Sequence, residues 1–160
     1  MSLADDIIVM DHGRVLQQGN AAAIYHAPRT RTVAEFIGRA NWFEGNLGHA
    51  VTPEVREFVT TEGRFMVAAD ASTDGAISQF CVRPERLRIL AADEAAANGL
   101  NLVQGVLLSS AYLGSEIHHA VMLPSGRTLI CVEQNRDQLL PAAGTQLRIV
   151  FRPVDCILTA

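Results

Sequence analysis

Two related stretches decide the fold, VRPERLRI at residues 82–89 and FRPVDCIL at residues 151–158. Each begins with an apolar residue, continues with Arg-Pro, and then places apolar residues at two alternate positions, which indicates a weak internal repeat. Proline cannot donate a hydrogen bond to a sheet ladder, so it tends to mark the edge or the start of a strand. We therefore expect the two stretches to close two similar β halves, residues 41–90 and 100–160.

A second pair of matches supports the repeat. Residues 43–47, FEGNL, and residues 103–107, VQGVL, each place a glycine inside an opening strand. A small barrel needs a bulge or a sharp coil at such a point, and glycine permits both. Between the halves, residues 91–97 are rich in alanine and hold two acids, which predicts a short helix or a linker.

Period-two alternation of apolar residues dominates the chain from Asn41 onward, for example at residues 79–83 and 147–152. Turn signals separate the alternating segments at residues 61–63, 74–75, 98–99, 124–126 and 143–144. The pattern predicts a mainly β body of many short antiparallel strands, arranged as two small barrels or half-barrels in series.

The first forty residues follow a different pattern. Residues 7–18 predict a β-hairpin with its turn at residues 11–14, and two short helices follow, capped by Asn20 and by Thr30 or Thr32. The second helix carries an apolar stripe formed by Val33, Phe36 and Ile37. Because a hairpin and two short helices cannot close a core alone, this segment is typical of the edge of a larger α/β domain.

Composition and charge exclude several classes of protein. Apolar residues make up 49% of the 160 residues, which is enough for a core. The net charge is −4, with 17 acidic residues against 13 basic ones, and this balance disfavours a nucleic-acid binder. No apolar run is long enough to cross a bilayer, and the acidic start does not suit a signal peptide. The three cysteines form no CxxC pair, which argues against a disulfide framework or a zinc site.

Several ordered motifs carry a resemblance to a known family. They are LADDIIVM at residues 3–10, GRV at 13–15, QG at 18–19, IY at 24–25, Pro28, FIG at 36–38, Asn41, VRPE at 82–85, YLG at 112–114 and LPSG at 123–126. In this order they resemble the nucleotide-binding subunits of ABC importers of the spermidine/putrescine, ferric-iron, sulfate and sugar types. Residues 20–22, Asn-Ala-Ala, depart from the family, which commonly has Thr-Pro and an acid there.

The resemblance implies a division of the chain. Residues 1–40 would be a C-terminal remnant of the ABC ATPase domain, left over as a short hairpin and helices from an α/β fold. Residues 41–160 would be a TOBE-like domain, mainly β, built as tandem OB-type barrels. ATP and Mg would then belong to a missing ATPase portion, so we expect no cofactor in this chain. A phosphate-binding loop needs a lysine and the sequence has none, so we expect the isolated chain not to be an enzyme.

The resemblance also implies a role and partners. The chain would be a regulatory, dimer-contact domain that supports ATP-driven uptake of a polyamine, iron or a related substrate. It would form a homodimer through the β domain and would work with membrane permease subunits at the cytoplasmic face of the inner membrane. One alternative is a domain that senses a small-molecule ligand, which would be an oxyanion, a polyamine or a sugar. Another alternative, disfavoured by charge, is a module for single-stranded nucleic acid that uses Trp42 and Phe43 for stacking.

Candidate site residues cluster at the Arg-Pro dipeptides and at one turn. Arg83, beside Pro84 and Glu85, and Arg152, beside Pro153, suit an anion fork or an interface edge, while the plain alternative is an ion pair with Glu85 or Asp155. Tyr112, Gly114 and Ser115 suit a ligand groove or simply join two strands. We expect no catalytic residue and no metal site, because His118 and His119 are adjacent on a strand and point to opposite faces.

Overall fold

The segment before the β body forms the hairpin and helices that its sequence predicts. The structure, a computed structural model, describes residues 6–69, 73 and 76–159. The hairpin comprises strands β1 (Ile7–Asp11) and β2 (Arg14–Gly19), and helices α1 (Ala21–His26) and α2 (Arg31–Ile37) follow. At the hairpin turn His12 and Gly13 both have positive φ, 46° and 77°, which suits a tight two-residue hairpin loop.

Both predicted helix caps form. The side chain of Asn20 accepts a hydrogen bond from the backbone N–H of Ala23 at 2.8 Å. Thr30, rather than Thr32, caps α2 and accepts from the N–H of Val33 at 3.3 Å. Each cap gives an acceptor to a first-turn N–H that has no partner within the helix.

The apolar stripe of α2 is narrower than its sequence predicts. Val33 is fully buried and packs with Val9 and Ile24, and Ile37 packs partly against the same cluster. Phe36, the third residue of the predicted stripe, is 74% exposed and does not join this packing. A helix of seven residues presents only one narrow line to its neighbours, and positions 33 and 37, one turn apart, occupy that line.

The β body consists of two five-stranded antiparallel sheets. The first sheet has the order β12-β6-β3-β4-β5 and the second β10-β9-β8-β11-β7. The strands are β3 (Asn41–Thr52), β4 (Val55–Thr60), β5 (Gly63–Ala68), β6 (Gln79–Val82), β7 (Arg88–Ile89), β8 (Asn101–Leu113), β9 (Glu116–Met122), β10 (Thr128–Gln134), β11 (Gln146–Phe151) and β12 (Ile157–Thr159).

The two halves of the sequence exchange their last strands. Strand β7, which ends the first half, pairs with β11 of the second, and β12 pairs with β6 of the first. Each exchange passes through a 3-10 turn that begins at the proline of an Arg-Pro dipeptide, Pro84–Arg86 and Pro153–Asp155. The sheets therefore do not coincide with the predicted halves, residues 41–90 and 100–160, because each half lends its final segment to the other.

The glycines of the repeated opening strands lie where each strand changes partner. Strand β3 pairs with β6 through residues 41–44 and with β4 from Gly45 onward. Strand β8 pairs with β11 through residues 101–106 and with β9 from Val106 onward, one residue beyond Gly105. A Cβ on Gly45 would lie 2.0 Å from the carbonyl oxygen of Val59, and one on Gly105 would lie 2.6 Å from that of Met122. Close backbone approach therefore requires both glycines.

Two buried asparagines fasten the halves together in the same way. The side chain of Asn41 accepts from the N–H of Ile130 at 2.8 Å and donates to its carbonyl at 2.9 Å. Asn101 repeats the arrangement with Met66, at 2.7 and 2.8 Å. Both side chains satisfy a backbone N–H and C=O on an edge strand, β10 or β5, and thereby cover part of that edge.

One core serves both halves. The rings of Phe43 and Phe80 stack with centroids 4.8 Å apart, and Phe151 from the second half lies 6.0 Å from Phe43. The same cluster continues through Leu107, Val121 and other apolar residues of the second sheet. The halves thus share their burial of apolar surface, which is the main source of their stability.

The connections agree with most of the turn signals. Gly63, Gly99, Gly126 and Gly144 all have positive φ, whereas the signal at residues 74–75 lies outside the described residues. Residues 91–97 contain turns but no helix, which favours the linker interpretation. In the described part of the chain, no helix is both long and apolar enough to cross a bilayer.

Candidate functional site

Arg83 lies at the junction between the segment of residues 6–40 and the β body. It is only 2% exposed, and its Nη1 lies 2.9–3.1 Å from the carbonyl oxygens of Ala34, Gly38 and Arg39. Its Nη2 lies 3.4 Å from the carbonyl oxygen of Tyr25. These carbonyls belong to the last turns of α2 and α1 and to the residues that follow α2, where a guanidinium group satisfies acceptors and opposes the helix dipoles. We name this set of contacts the Arg83 clamp.

Tyr25 completes the Arg83 clamp. The Arg83 guanidinium lies over the Tyr25 ring, 4.7 Å from its centroid. The Tyr25 hydroxyl donates to the carboxylate of Glu85, on the same 3-10 turn that follows Arg83. Burial and this hydrogen bond raise the pKa of Tyr25 to about 12, so the phenol stays neutral at physiological pH. Tyr25, from residues 6–40, is therefore bound by Arg83 and Glu85 of the β body.

Trp42 provides a second contact across the junction. It packs with Ala34 of α2 and with Cys81 of β6, and the guanidinium of Arg31 lies 4.9 Å from its ring centroid. Trp42 is 9% exposed and the next residue, Phe43, is fully buried. Neither ring is therefore available as a stacking platform for nucleic-acid bases, and Trp42 instead joins the helices to the β body.

Arg152 occupies the equivalent position in the second Arg-Pro turn but points to solvent. Its Nε and Nη2 donate to the two carboxylate oxygens of Asp155, each at 2.8 Å. The predicted alternative of a local ion pair is thus confirmed for Arg152 with Asp155. Arg83, in contrast, makes no recorded pair with Glu85 among the described residues, since its donors are directed at backbone carbonyls.

Two adjoining clefts lie between the Arg-Pro turns. One has a volume of about 230 Å³ and is lined by Tyr25, His26, Arg83, Arg86, Arg152, Val154, Asp155 and Ile157. The other, about 290 Å³, is lined by Glu85, Arg86, Arg88, Leu100, Val150, Phe151, Arg152 and Asp155. The fold thus brings Arg83 and Arg152 to one cleft and Glu85 and Arg152 to the next. Pro84 is buried beneath the first turn and lines neither of them.

The structure places the predicted groove residues Tyr112, Gly114 and Ser115 elsewhere. They lie at the tip of the β8–β9 hairpin, where Tyr112 is 56% exposed and Gly114 has a φ of 69°. Gly114 and Ser115 accept hydrogen bonds from Asn135, so their backbone carbonyls serve the packing of a neighbouring loop. None of the three lines the clefts at the Arg-Pro turns. Their role in ligand binding stays a prediction.

His118 and His119 point to opposite faces, as adjacent strand residues should. His119 is 1% exposed, with its Nδ1 hydrogen-bonded to Ser110 at 2.8 Å, whereas His118 contacts Glu116 at 3.0 Å. Among the described residues no group of three or more histidine, cysteine or acidic side chains is arranged to hold a metal ion.

All three cysteines are buried, and burial raises the pKa of the thiols of Cys81 and Cys131 to about 11 and 12, respectively.

The sequence interpretation missed two residues of this site, Tyr25, which lines one cleft, and Arg86, which lines both. It also missed Asn101, which lies outside the site and reproduces the role of Asn41. A signal for Asn101 was present, because Asn41 precedes Gly45 by the same interval as Asn101 precedes Gly105. No local pattern indicates Tyr25, because its partners lie far away along the chain.

Comparisons with known proteins agree with the fold. Residues 80–158 match the model of the TOBE domain family. A solved structure of the cytoplasmic molybdate-binding protein ModG superposes with a TM-score of 0.62 at 11% sequence identity, covering 74% of this chain and 94% of ModG. The prediction of a mainly β fold with tandem OB-like barrels is confirmed.

Curated relatives match nearly the whole chain. The spermidine/putrescine import ATP-binding protein PotA of Nostoc sp. is 30% identical over 161 residues, which cover 98% of this chain and 42% of that protein. The putrescine transport ATP-binding protein PotG of Escherichia coli is 33% identical over 162 residues, with the same two coverages. PotA of Rubrobacter xylanophilus is 31% identical over 164 residues and is covered to 41%.

The chain thus spans about 42% of the length of the relatives that it matches. The match includes the hairpin and helices as well as the barrels, so the junction held by the Arg83 clamp lies within the shared region. The chain carries a TOBE domain and is homologous to the C-terminal region of spermidine/putrescine ABC importer ATP-binding subunits.

Proposed function

We propose that the chain is the regulatory C-terminal part of the ATP-binding subunit of an ABC importer for polyamines. The observation that carries this proposal is the homology over 98% of the chain to import ATP-binding proteins for spermidine and putrescine. ATP binding and hydrolysis would reside in the remainder of such a subunit, which acts with permease subunits at the cytoplasmic face of the membrane. The chain itself would carry no ATPase activity.

The Arg83 clamp supplies a physical route for regulation. Residues 6–40 would belong to the ATPase domain, and the clamp fastens them to the barrels through four backbone carbonyls and a stacked ring. A movement of the ATPase domain would therefore carry the barrels with it as a rigid attachment. Anything that holds the barrels would in turn restrain the ATPase domain.

An assay of the intact subunit tests this route. In an ATP-binding subunit that carries this chain, Arg83→Met should lower polyamine uptake and transport-coupled ATP turnover while leaving basal ATP turnover in place. Arg136→Met, at an exposed loop arginine that lines neither cleft, is the control and should leave all three unchanged. Equal uptake by the Arg83→Met variant and the unaltered subunit would contradict the coupling role of the clamp.

A homodimer through the β domain is part of the proposal. The edge around Arg83 does not suit that contact, because the guanidinium is turned inward. The outer face of β8 and β9 suits it better, since Leu102, Leu108 and Met122 are 39–44% exposed there.

Sedimentation equilibrium tests this contact, because it should detect a dimer that Leu108→Glu weakens. Leu139→Glu, at a loop leucine that is 98% exposed, should not weaken it, and a strictly monomeric chain would contradict this contact.

A further inference from the structure

The two Arg-Pro turns differ at one position that decides their charge balance. Asp155 stands three residues after Arg152 and neutralises it, whereas the equivalent position after Arg83 holds Arg86. The Arg86 side chain is exposed and makes no recorded hydrogen bond or ion pair within the described ranges. The first turn therefore presents an additional cation at the point where the second turn presents a carboxylate.

Arg86 lines both clefts between the turns. In the cleft of about 230 Å³ the cationic side chains are Arg83, Arg86 and Arg152, and the acidic one is Asp155, a formal excess of two positive charges. The chain as a whole has a net charge of −4, so this cleft opposes the overall sign. A concave site with charges of one sign concentrates the field and attracts small ions of the opposite sign.

The buried arginine adds a donor to the same cleft. Arg83 lines it, and the Nε–H of Arg83 is buried without a hydrogen-bond partner among the described residues. An unsatisfied buried donor is destabilising, and an acceptor that reaches it would relieve that cost. Tyr25 and His26 form the wall that belongs to residues 6–40, and Val154 and Ile157 supply apolar surface.

The second turn shows which chemistry such a guanidinium group takes here. Arg152 binds a carboxylate through two parallel hydrogen bonds of 2.8 Å, the bidentate geometry that matches the guanidinium fork. We propose that this cleft binds a small dicarboxylate, with one carboxylate on Arg86 and the second toward Arg83 and Arg152. Two negative charges balance the excess of two positive charges.

Such a ligand would bridge the junction. It would contact the Tyr25 wall on one side and both Arg-Pro turns on the other, and it would therefore tighten the attachment of residues 6–40 to the barrels. The binding step stands apart from the proposed function, whereas its regulatory consequence rests on that function. A binding measurement on this chain and the uptake assay on the intact subunit therefore fail independently.

Calorimetry with succinate at low ionic strength tests the proposal. Succinate should bind the unaltered chain and the Arg14→Gln variant equally, because Arg14 is an exposed arginine on the distant hairpin. Arg86→Gln should weaken binding by about tenfold or more, since it removes a charge-assisted bidentate contact. Acetate should bind more weakly than succinate, and the neutral succinamide should not bind.

Three outcomes would overturn the proposal. They are the absence of binding at about 10 mM succinate, equal affinity of Arg86→Gln and the unaltered chain, and tighter binding of inorganic phosphate than of succinate. Amide chemical shifts of the unaltered chain provide a measurement that needs no variant. Succinate should move the resonances of Tyr25, residues 83–86 and residues 152–155, and shifts confined to other regions would also overturn the assignment.

Discussion

The two Arg-Pro turns share a 3-10 backbone, but the arginine of the first is buried and that of the second is exposed. Both begin a 3-10 turn at proline and both lead into an exchanged strand. Arg83 is 2% exposed and binds backbone carbonyls, whereas the Arg152 side chain is 57% exposed and binds its own turn. The residue three positions later and the segment that covers the turn decide between these outcomes, so a local motif alone does not assign a role to its arginine.

The largest expected effect separates these two arginines directly. Arg83→Met takes the side-chain donor from four carbonyl oxygens at a largely buried junction, of which, among the described residues, only that of Ala34 keeps another donor, the N–H of Gly38. We expect a loss of about 3–5 kcal/mol in the free energy of unfolding. Arg152→Met removes an ion pair within one turn whose arginine is exposed, and it should cost less than Arg83→Met. Urea denaturation of both variants measures the difference. Equal losses would show that the clamp adds nothing to the fold.

The two glycines at the changes of partner provide the next comparison. Gly45→Ala and Gly105→Ala each force a methyl group against a backbone carbonyl, at 2.0 and 2.6 Å, and we expect losses of about 2–3 kcal/mol, with Gly45→Ala the greater. Gly19→Ala is the control, because its added Cβ would meet only ordinary side-chain contacts at 3.6 and 3.9 Å. Thermal unfolding monitored by circular dichroism gives the order. A neutral Gly45→Ala variant would contradict the close approach of β3 and β4.

The asparagine pair tests whether the halves are held equally. Asn41→Ala and Asn101→Ala each remove two hydrogen bonds to an edge strand, and each should cost about 2 kcal/mol. Their losses in urea denaturation should agree within about 0.5 kcal/mol if the repeat is energetically symmetric. Asn135→Ala, at an exposed loop contact, should change stability little. A twofold difference between the pair would mean that one barrel is held more firmly than the other.

The smallest effect concerns pH and belongs to the first turn alone. The pKa of Tyr25 is raised from about 10 to about 12, first by burial and then by its hydrogen bond to Glu85. The protonated phenol is therefore favoured by folding, so its contribution is complete below pH 10 and is lost as the pH rises through 12. Tyr25→Phe should flatten the decline in stability over this window. An unchanged decline would show that the Tyr25–Glu85 contact contributes nothing.

Local signals in the sequence predicted local features well. The hairpin turn, the caps at Asn20 and Thr30, the strand glycines and the mainly β body follow from short-range sterics and hydrogen bonding, and the structure confirms them. The exchange of end strands was not predicted, because alternation gives a strand its faces but not its partner. The exposure of Phe36 and the clamp of Arg83 likewise depend on which segments meet.

The exchanged strands also govern when the protein can fold. Strand β6 pairs with β3 early but acquires its second neighbour only when β12 arrives from the far end of the β body, and β7 must wait for β11. During synthesis the first barrel therefore remains open at one edge until residue 159 has left the ribosome. Such non-local pairing predicts slow folding and a long-lived exposed strand edge, a period in which chaperone binding or pairing with a second nascent chain competes with closure.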